Sequence, residues 1–347
     1  MQEKCYNRKK THSKDKSSFK LSLSTLSSNK STEKPFANLN LIYNTLNKSL
    51  SNKQKLNLKQ FEYEVSKLNF CPIGSDANIS GNYDNYLSTT LNHIVQMRKI
   101  NFDDALESPS IYENFPEKAL EQISLSNKKL LVLDLDETLI HADFNEEFAN
   151  DKKIKYDAEI SFYSEEKCSN DIKNEDEQST ISDDDSKDYS YEKILNTVGI
   201  FLRPGVKNFL QEVSKYFEVG IFTASVPEYA DAVINYLDPE NKYIKFRLYR
   251  NNCINVGDLL RVKNLKIFKN IPLKKIILVD NNMYSFTPQL NNGILINSFF
   301  NDKNDNELSN VLSYLINFII PCDDVRKVNE EFFGFQKIVD DMTSNVF

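Results

Sequence analysis

From Lys128 onward the chain alternates short apolar runs with amphipathic stretches. The runs KKLLVLDL, FEVGIFTA, IKFRLY, KKIILVD and GILIN have the length of strands and end in polar residues. Between them, VKNFLQEVSKY and VPEYADAVINYL repeat apolar positions three and four apart, the spacing of a helix with one buried face. This alternation predicts a mostly parallel α/β sheet, whose ligands gather where the carboxyl ends of the strands point.

One stretch breaks the rhythm. After the strand-like AEISFY comes EEKCSNDIKNEDEQSTISDDDSKDYS, and a strand-like pattern resumes at EKILNTVGIFLRPG. A composition so polar cannot pack, so residues 165–188 read as an acidic loop at the tip of a hairpin. Upstream, residues 56–127 form a helical flank that includes FEYEVSKL and NYLSTTLNHIVQMRKI. Leu87, Leu91, Ile94 and Met97 line one face of the second segment. Residues 1–55 are rich in Ser, Lys, Asn and Thr, with too few apolar residues to offset the entropy of ordering, and read as a disordered tail. Residues 128–320 form the main domain and 321–347 a C-terminal extension.

Composition adds three constraints. The 347 residues are 40% hydrophobic and include 23 Phe and 17 Tyr, enough for one sizeable core with poorly ordered extensions. No apolar run reaches the roughly 18 residues of a membrane span, and VLSYLINFIIP is interrupted by Ser, Asn and Pro. The five cysteines show no CxxC pair and there is no apolar leader at the N-terminus, which fits a reducing compartment. With three histidines and no zinc-type spacing, a structural zinc site is not expected.

The net charge of -7 conceals polarity along the chain. Residues 1–60 hold 13 Lys/Arg against 3 Asp/Glu, whereas residues 165–188 hold 10 Asp/Glu against 3 Lys. The cluster NRKKTHSK reads as part of a solvated tail, with a nuclear address and a transit peptide as alternatives. The expected location is nuclear or cytoplasmic rather than mitochondrial, and no direct nucleic-acid binding is expected.

The candidate chemistry begins at VLDLDETLIHA. Residues two apart on an extended strand project to the same side, so Asp134 and Asp136 can face one pocket at the strand's end. Two carboxylates that close call for a cation, and an all-oxygen set suits Mg²⁺. A calcium loop is excluded, because Thr138 and Leu139 stand where it needs a third acid or amide and then glycine. A sugar-nucleotide transferase can also hold a metal through DxD. Three further strand-end features narrow the choice: Thr223 after FEVGIF, Lys263 in LLRVKNLKIF, and Asp280 with Asn281 after KKIILV. Singly these are an ordinary hydroxyl, a solvated charge and a helix cap. Together they suit phosphoryl transfer.

In order, DLDETL, FLRPGV, IFTASVPEYAD, RLYRNNC, VKNL and ILVDNN, followed by SFF and ELSNVL, resemble the small C-terminal-domain phosphatases of the haloacid dehalogenase superfamily, over roughly Lys128 to Ile320. The resemblance implies a Rossmann-like core with a mostly parallel sheet, a small flap hairpin instead of a large cap, and Mg²⁺-dependent removal of phosphate from phosphoserine or phosphothreonine. It implies that Asp134 is the nucleophile and Asp136 the acid and then the base. Asp134, the Asp136 carbonyl and Asn281 would hold the metal, with Asp280 beside it as a further member of the metal set. Thr223 would bond a phosphoryl oxygen, Lys263 would offset charge, and Thr138 and Arg250 would complete the substrate-binding set.

The implied partner is a phosphoprotein, with the RNA polymerase II tail as the family's substrate; the oligomeric state is left open. Asn282 and Met283 depart from the small residue and proline usual after VDN, which bears on specificity rather than on the metal. A binding module that keeps the fold without catalysis and a small-metabolite phosphatase are the alternative readings. Complete motifs argue against the first, and the absence of cap-forming sequence argues against the second.

Overall fold

The computed structural model describes residues 89–144, 155–168, 190–256 and 260–344. The tail at 1–55, the FEYEVSKL pattern and most of the acidic stretch lie outside them. Within the second flank pattern, residues 89–97 form a helix, α1, which buries Leu91, Ile94 and Met97, while Leu87 lies outside the described residues. A second helix, α2 (Glu117–Ser124), buries Leu120 and Ile123.

Strand β1 (Lys129–Leu133) runs through the centre of the fold, and its Leu130–Leu133 side chains are at most 1% exposed. Such a run suits a strand covered on both faces. β2 (Ile140–Asp143), β3 (Ala158–Cys168) and β4 (Ser190–Leu202) form a separate antiparallel flap in the order β2-β4-β3. The chain then returns through α3 (Val206–Tyr216), β5 (Phe217–Phe222), α4 (Pro227–Leu237) and β6 (Ile244–Leu248). Gly205, just before α3, sits at φ 79°, where a side chain would be strained.

A short hairpin, β7 (Ile254–Val256) with β8 (Leu260–Val262), precedes β9 (Ile276–Asp280) and β10 (Gly293–Leu295). The main sheet has the order β10-β9-β1-β5-β6 with every pairing parallel. After β1 the chain fills positions on one side, then crosses to fill the other. β1 therefore lies at the topological switch point, with the ends of β5 and β9 on either side. Each apolar run read from the sequence forms one of these five strands.

The flap differs from the sequence reading in two respects: Ile140–Asp143, not read as a strand, pairs with β4, so the flap is three-stranded rather than a hairpin, and the acidic loop is shorter than read. Pairing continues through Cys168↔Ser190, so the strand extends beyond AEISFY into the stretch read as acidic loop. Opposite charges at Glu165↔Lys193 face each other across the two strands, and backbone pairing does not need an apolar side chain at each position. At the C-terminal end, α5 (Glu307–Tyr314) runs into a wider turn at Leu315–Ile319, and α6 (Val325–Phe332) and α7 (Phe335–Ser344) follow. Among the described residues no helix is long and apolar enough to cross a membrane.

Candidate active site

Asp134 follows directly on β1 and is 6% exposed, its backbone N–H held by Val279 O of β9 at 3.0 Å. Lys263, 1% exposed, donates to Asp134 Oδ1 and to Asp280 Oδ2, both at 2.6 Å. Burial penalises the ammonium, but the carboxylates on either side outweigh that penalty and raise its pKa above the ordinary lysine range. Asp280 is raised from the ordinary carboxylate value by its own burial, against the pull of Lys263. Its other oxygen accepts the Asn282 N–H at 2.8 Å, so both oxygens are engaged.

The hydroxyl of Thr138 contacts Asp134 Oδ2 at 3.0 Å and Asn281 Oδ1 at 3.3 Å, bringing those two oxygens to one spot. Between Asp136 and Thr138 the backbone turns sharply, with Glu137 at φ 55°. A left-handed non-glycine residue is costly and persists where its surroundings enforce it. Here the enforcement is visible, because Glu137 O accepts Phe299 N–H at 2.8 Å. The Arg203 guanidinium, fully buried, donates to Thr138 O at 3.0 Å and Asn297 O at 2.7 Å and pairs through two nitrogens with Asp305.

Asp136 lies in a second cluster, built from the end of β5 and the start of α4. Its Oδ1 accepts the Tyr229 hydroxyl at 2.5 Å, and its Oδ2 accepts Ser225 Oγ at 2.7 Å and Thr223 Oγ1 at 3.5 Å. Burial pushes the Asp136 carboxyl up to about 6, and the Tyr229 hydrogen bond partly restrains the rise. Ser225 N–H caps Thr223 Oγ1 at 3.0 Å, which shapes the loop around that carboxylate. Tyr229 also supports the flap, its ring 5.3 Å from Phe144 and 5.6 Å from Phe162.

The structure thus gathers Asp134, Thr138, Lys263, Asp280 and Asn281 into one bonded group, with Asp136 and Thr223 in an adjoining one. Arg250 is exposed, and its Nε donates to Ala224 O at 2.7 Å, in the loop between Thr223 and Ser225. Sequence reasoning gave no role to Ser225, Tyr229 or Arg203. The signals were weak: a hydroxyl two residues after Thr223, an aromatic in the first turn of an amphipathic helix, and an arginine closing an apolar strand before Pro-Gly.

An all-parallel sheet with a buried Asp-Lys-Asp set at its switch point, and a flap in place of a cap, defines an α/β protein of the haloacid dehalogenase superfamily. Within it, residues 129–326 match the model of the NLI interacting factor-like phosphatases, and the chain belongs to that family. The CTD small phosphatase-like protein 2 of Dictyostelium discoideum is 42% identical over 138 residues, covering 39% of this chain and 24% of that protein. Phosphatase PSR1 of Saccharomyces cerevisiae is 36% identical over 194 residues, covering 55% of this chain and 36% of that protein. The matched part is thus less than half the length of either relative. Among solved structures, that of Fcp1, titled an essential RNA polymerase II CTD phosphatase, aligns with a TM-score of 0.37 at 18% identity, covering 65% of this chain and 66% of that one.

Proposed function

We propose that the chain is a Mg²⁺-dependent protein phosphatase that removes phosphate from serine or threonine through an aspartyl-phosphate on Asp134. The observation that supports this best is the division of the two carboxylates into different environments. Asp134 is held against a buried ammonium, while Asp136 is pushed up to about 6, into the range where one carboxyl can give a proton and later take one back.

Asp134 attacks phosphorus as the bond from phosphorus to the serine or threonine oxygen breaks, and Asp136 delivers its proton to that leaving oxygen. In the second half, the Asp136 carboxylate takes a proton from water as the water attacks the phosphoryl group. Phosphate leaves, and both carboxylates return to their starting states. Lys263 stands beside Asp134 where it can offset charge developing on the phosphoryl oxygens, and the Thr223 hydroxyl can turn from Asp136 to one of them.

The donor set suits a hard cation: Asp134 Oδ2 and Asn281 Oδ1 converge on Thr138, and the Asp136 carbonyl lies on the same loop. A Mg²⁺ ion held there would supply positive charge that offsets the repulsion between the phosphate and the carboxylate nucleophile. Asp280, with both oxygens engaged, acts through Lys263 in this reading rather than as a direct ligand.

The proposed substrate is a phosphoserine or phosphothreonine peptide. Polymerase II tail repeats are the first to try, on the strength of the motif resemblance. The proposed location is nuclear or cytoplasmic. The full chain should hydrolyse an aryl phosphate with Mg²⁺ and stop on chelation. Asp134→Asn should lower kcat by about 10⁴-fold or more. Activity surviving that substitution would overturn the assignment.

A further inference from the structure

Two buried asparagines each sit one or two residues from a site residue and reach backward, away from the pocket, to the N-terminal flank. Asn264, 1% exposed, follows Lys263 directly. Its amide donates to Phe102 O and to Asp103 Oδ1, each at 3.2 Å, and its carbonyl oxygen accepts Gln289 Nε2 at 2.8 Å. Asn252, 3% exposed, lies two residues after Arg250. Its amide donates to Ile111 O at 2.7 Å, and its carbonyl oxygen accepts Tyr249 N–H at 2.8 Å.

A third tie joins the flank to the strand end that carries Asp280 and Asn281. His93 of α1, 1% exposed, shares a 2.8 Å hydrogen bond with the Tyr284 hydroxyl, and Tyr284 N–H in turn bonds Asn282 Oδ1 at 3.1 Å. The flank is itself anchored in the core through Leu91, Ile94, Met97, Phe102 and Ile111, all at most 7% exposed. Residues 89–113 all lie outside the span 129–326 matched by the family model.

We propose that residues 89–113 are a positioning element of the catalytic site, fixing the loops of Lys263 and Arg250 from behind through Asn264 and Asn252. Both asparagines are bonded on both ends, so neither amide can turn without leaving a buried polar group unmatched. Lys263 and Arg250 have long, rotamer-rich side chains, and a backbone held in one place limits where their charged ends can go. Two separate clamps imply two separable effects, one on turnover and one on substrate affinity. The kinetic half of this inference rests on the phosphatase reading; the geometric half does not.

The test uses the full chain with Mg²⁺ and a phosphoserine peptide. Asn264→Ala should lower kcat by about tenfold with little change in KM, since a net hydrogen bond corresponds to up to about that factor. Asn252→Ala should raise KM by about tenfold with little change in kcat. Should Asn264→Ala fail to give a cooperative thermal transition, Asp103→Ala decides the matter. It removes an exposed acceptor of the Asn264 amide and should lower kcat about two- to threefold.

In parallel, hydrogen exchange of the Lys263 amide, which donates to Ser285 O at 2.7 Å, should quicken in the Asn264 and Asp103 variants. Unchanged exchange would overturn the positioning role whatever the activity. So would folded variants that lose kcat and KM in equal measure at both positions. Quickened exchange in a protein that hydrolyses no phosphoester even in its wild-type form would instead sink the phosphatase reading and leave the clamp standing.

Discussion

Tyr229 donates its phenolic proton to Asp136 Oδ1 across 2.5 Å, from the first turn of a helix to the loop that follows β1. Burial drives the carboxyl up to about 6, and the tyrosine bond favours the ionised form. Tyr229's own pKa is raised above the ordinary tyrosine range by burial and by the Asp136 charge, so it stays a donor at any working pH. The sign of the pH effect follows. A general acid must be protonated, so kcat/KM should fall as pH rises through about 6. Tyr229→Phe removes the group that restrains the shift and should move that alkaline limb to higher pH. A limb that stays put, or moves down, would show that Tyr229 does not tune Asp136.

Lys263 is a single cation between two buried carboxylates. Removing it while keeping both partners leaves uncompensated charge in the interior, so Lys263→Met should destabilise the fold by about 3–5 kcal/mol. Adding Asp280→Asn should restore a large part of that loss, because it removes one of the two stranded charges. Denaturant unfolding in the presence of a chelator would measure both. Equal stability of the single and double variants would mean that Asp280 is not held by charge.

Much of this was legible from spacing. The five strands of the sheet showed as apolar runs, and Asp134, Thr223 and Asp280 showed as polar residues at their ends, because a buried strand in a parallel sheet must be apolar until it reaches the ligand crevice. What spacing could not show was how side chains from different strands partner. Asp136 bonds Ser225 and Tyr229, more than eighty residues away in sequence, and only weak local signals mark them. Arg203 is hidden for the opposite reason: a charged residue in a strand end reads as exposed, yet carbonyls and a carboxylate satisfy it while it is fully buried.

That burial makes Arg203 a sharp test of packing around the catalytic loop. It spans Thr138 O, Asn297 O and both oxygens of Asp305, a fork that an ammonium cannot match. Arg203→Lys should therefore cost about 2–4 kcal/mol despite keeping the charge, since buried acceptors are left unmatched. It should also release Thr138, which orients Asp134, and so lower kcat. A lysine variant with wild-type melting temperature and turnover would contradict the role given to the guanidinium.

The acidic stretch supplies the last prediction, and it concerns the substrate. Residues 165–188 carry 10 Asp/Glu against 3 Lys, and their flanks are the two long strands of the flap, whose Phe162 ring contacts Tyr229 beside Asp136. Negative charge tethered to that flap would repel an approaching phosphopeptide, more strongly at low salt, where the screening length is about 30 Å at 0.01 M against about 8 Å at 0.15 M. Raising ionic strength should thus increase kcat/KM toward an acidic phosphopeptide in the full chain, and deleting residues 165–188 should flatten the dependence. A small aryl phosphate carries less charge and should respond less to the same deletion. If the salt dependence is the same with and without the stretch, its charge does not act on the substrate, and the basic residues of 1–60 are the next segment whose removal would reveal a compensating field.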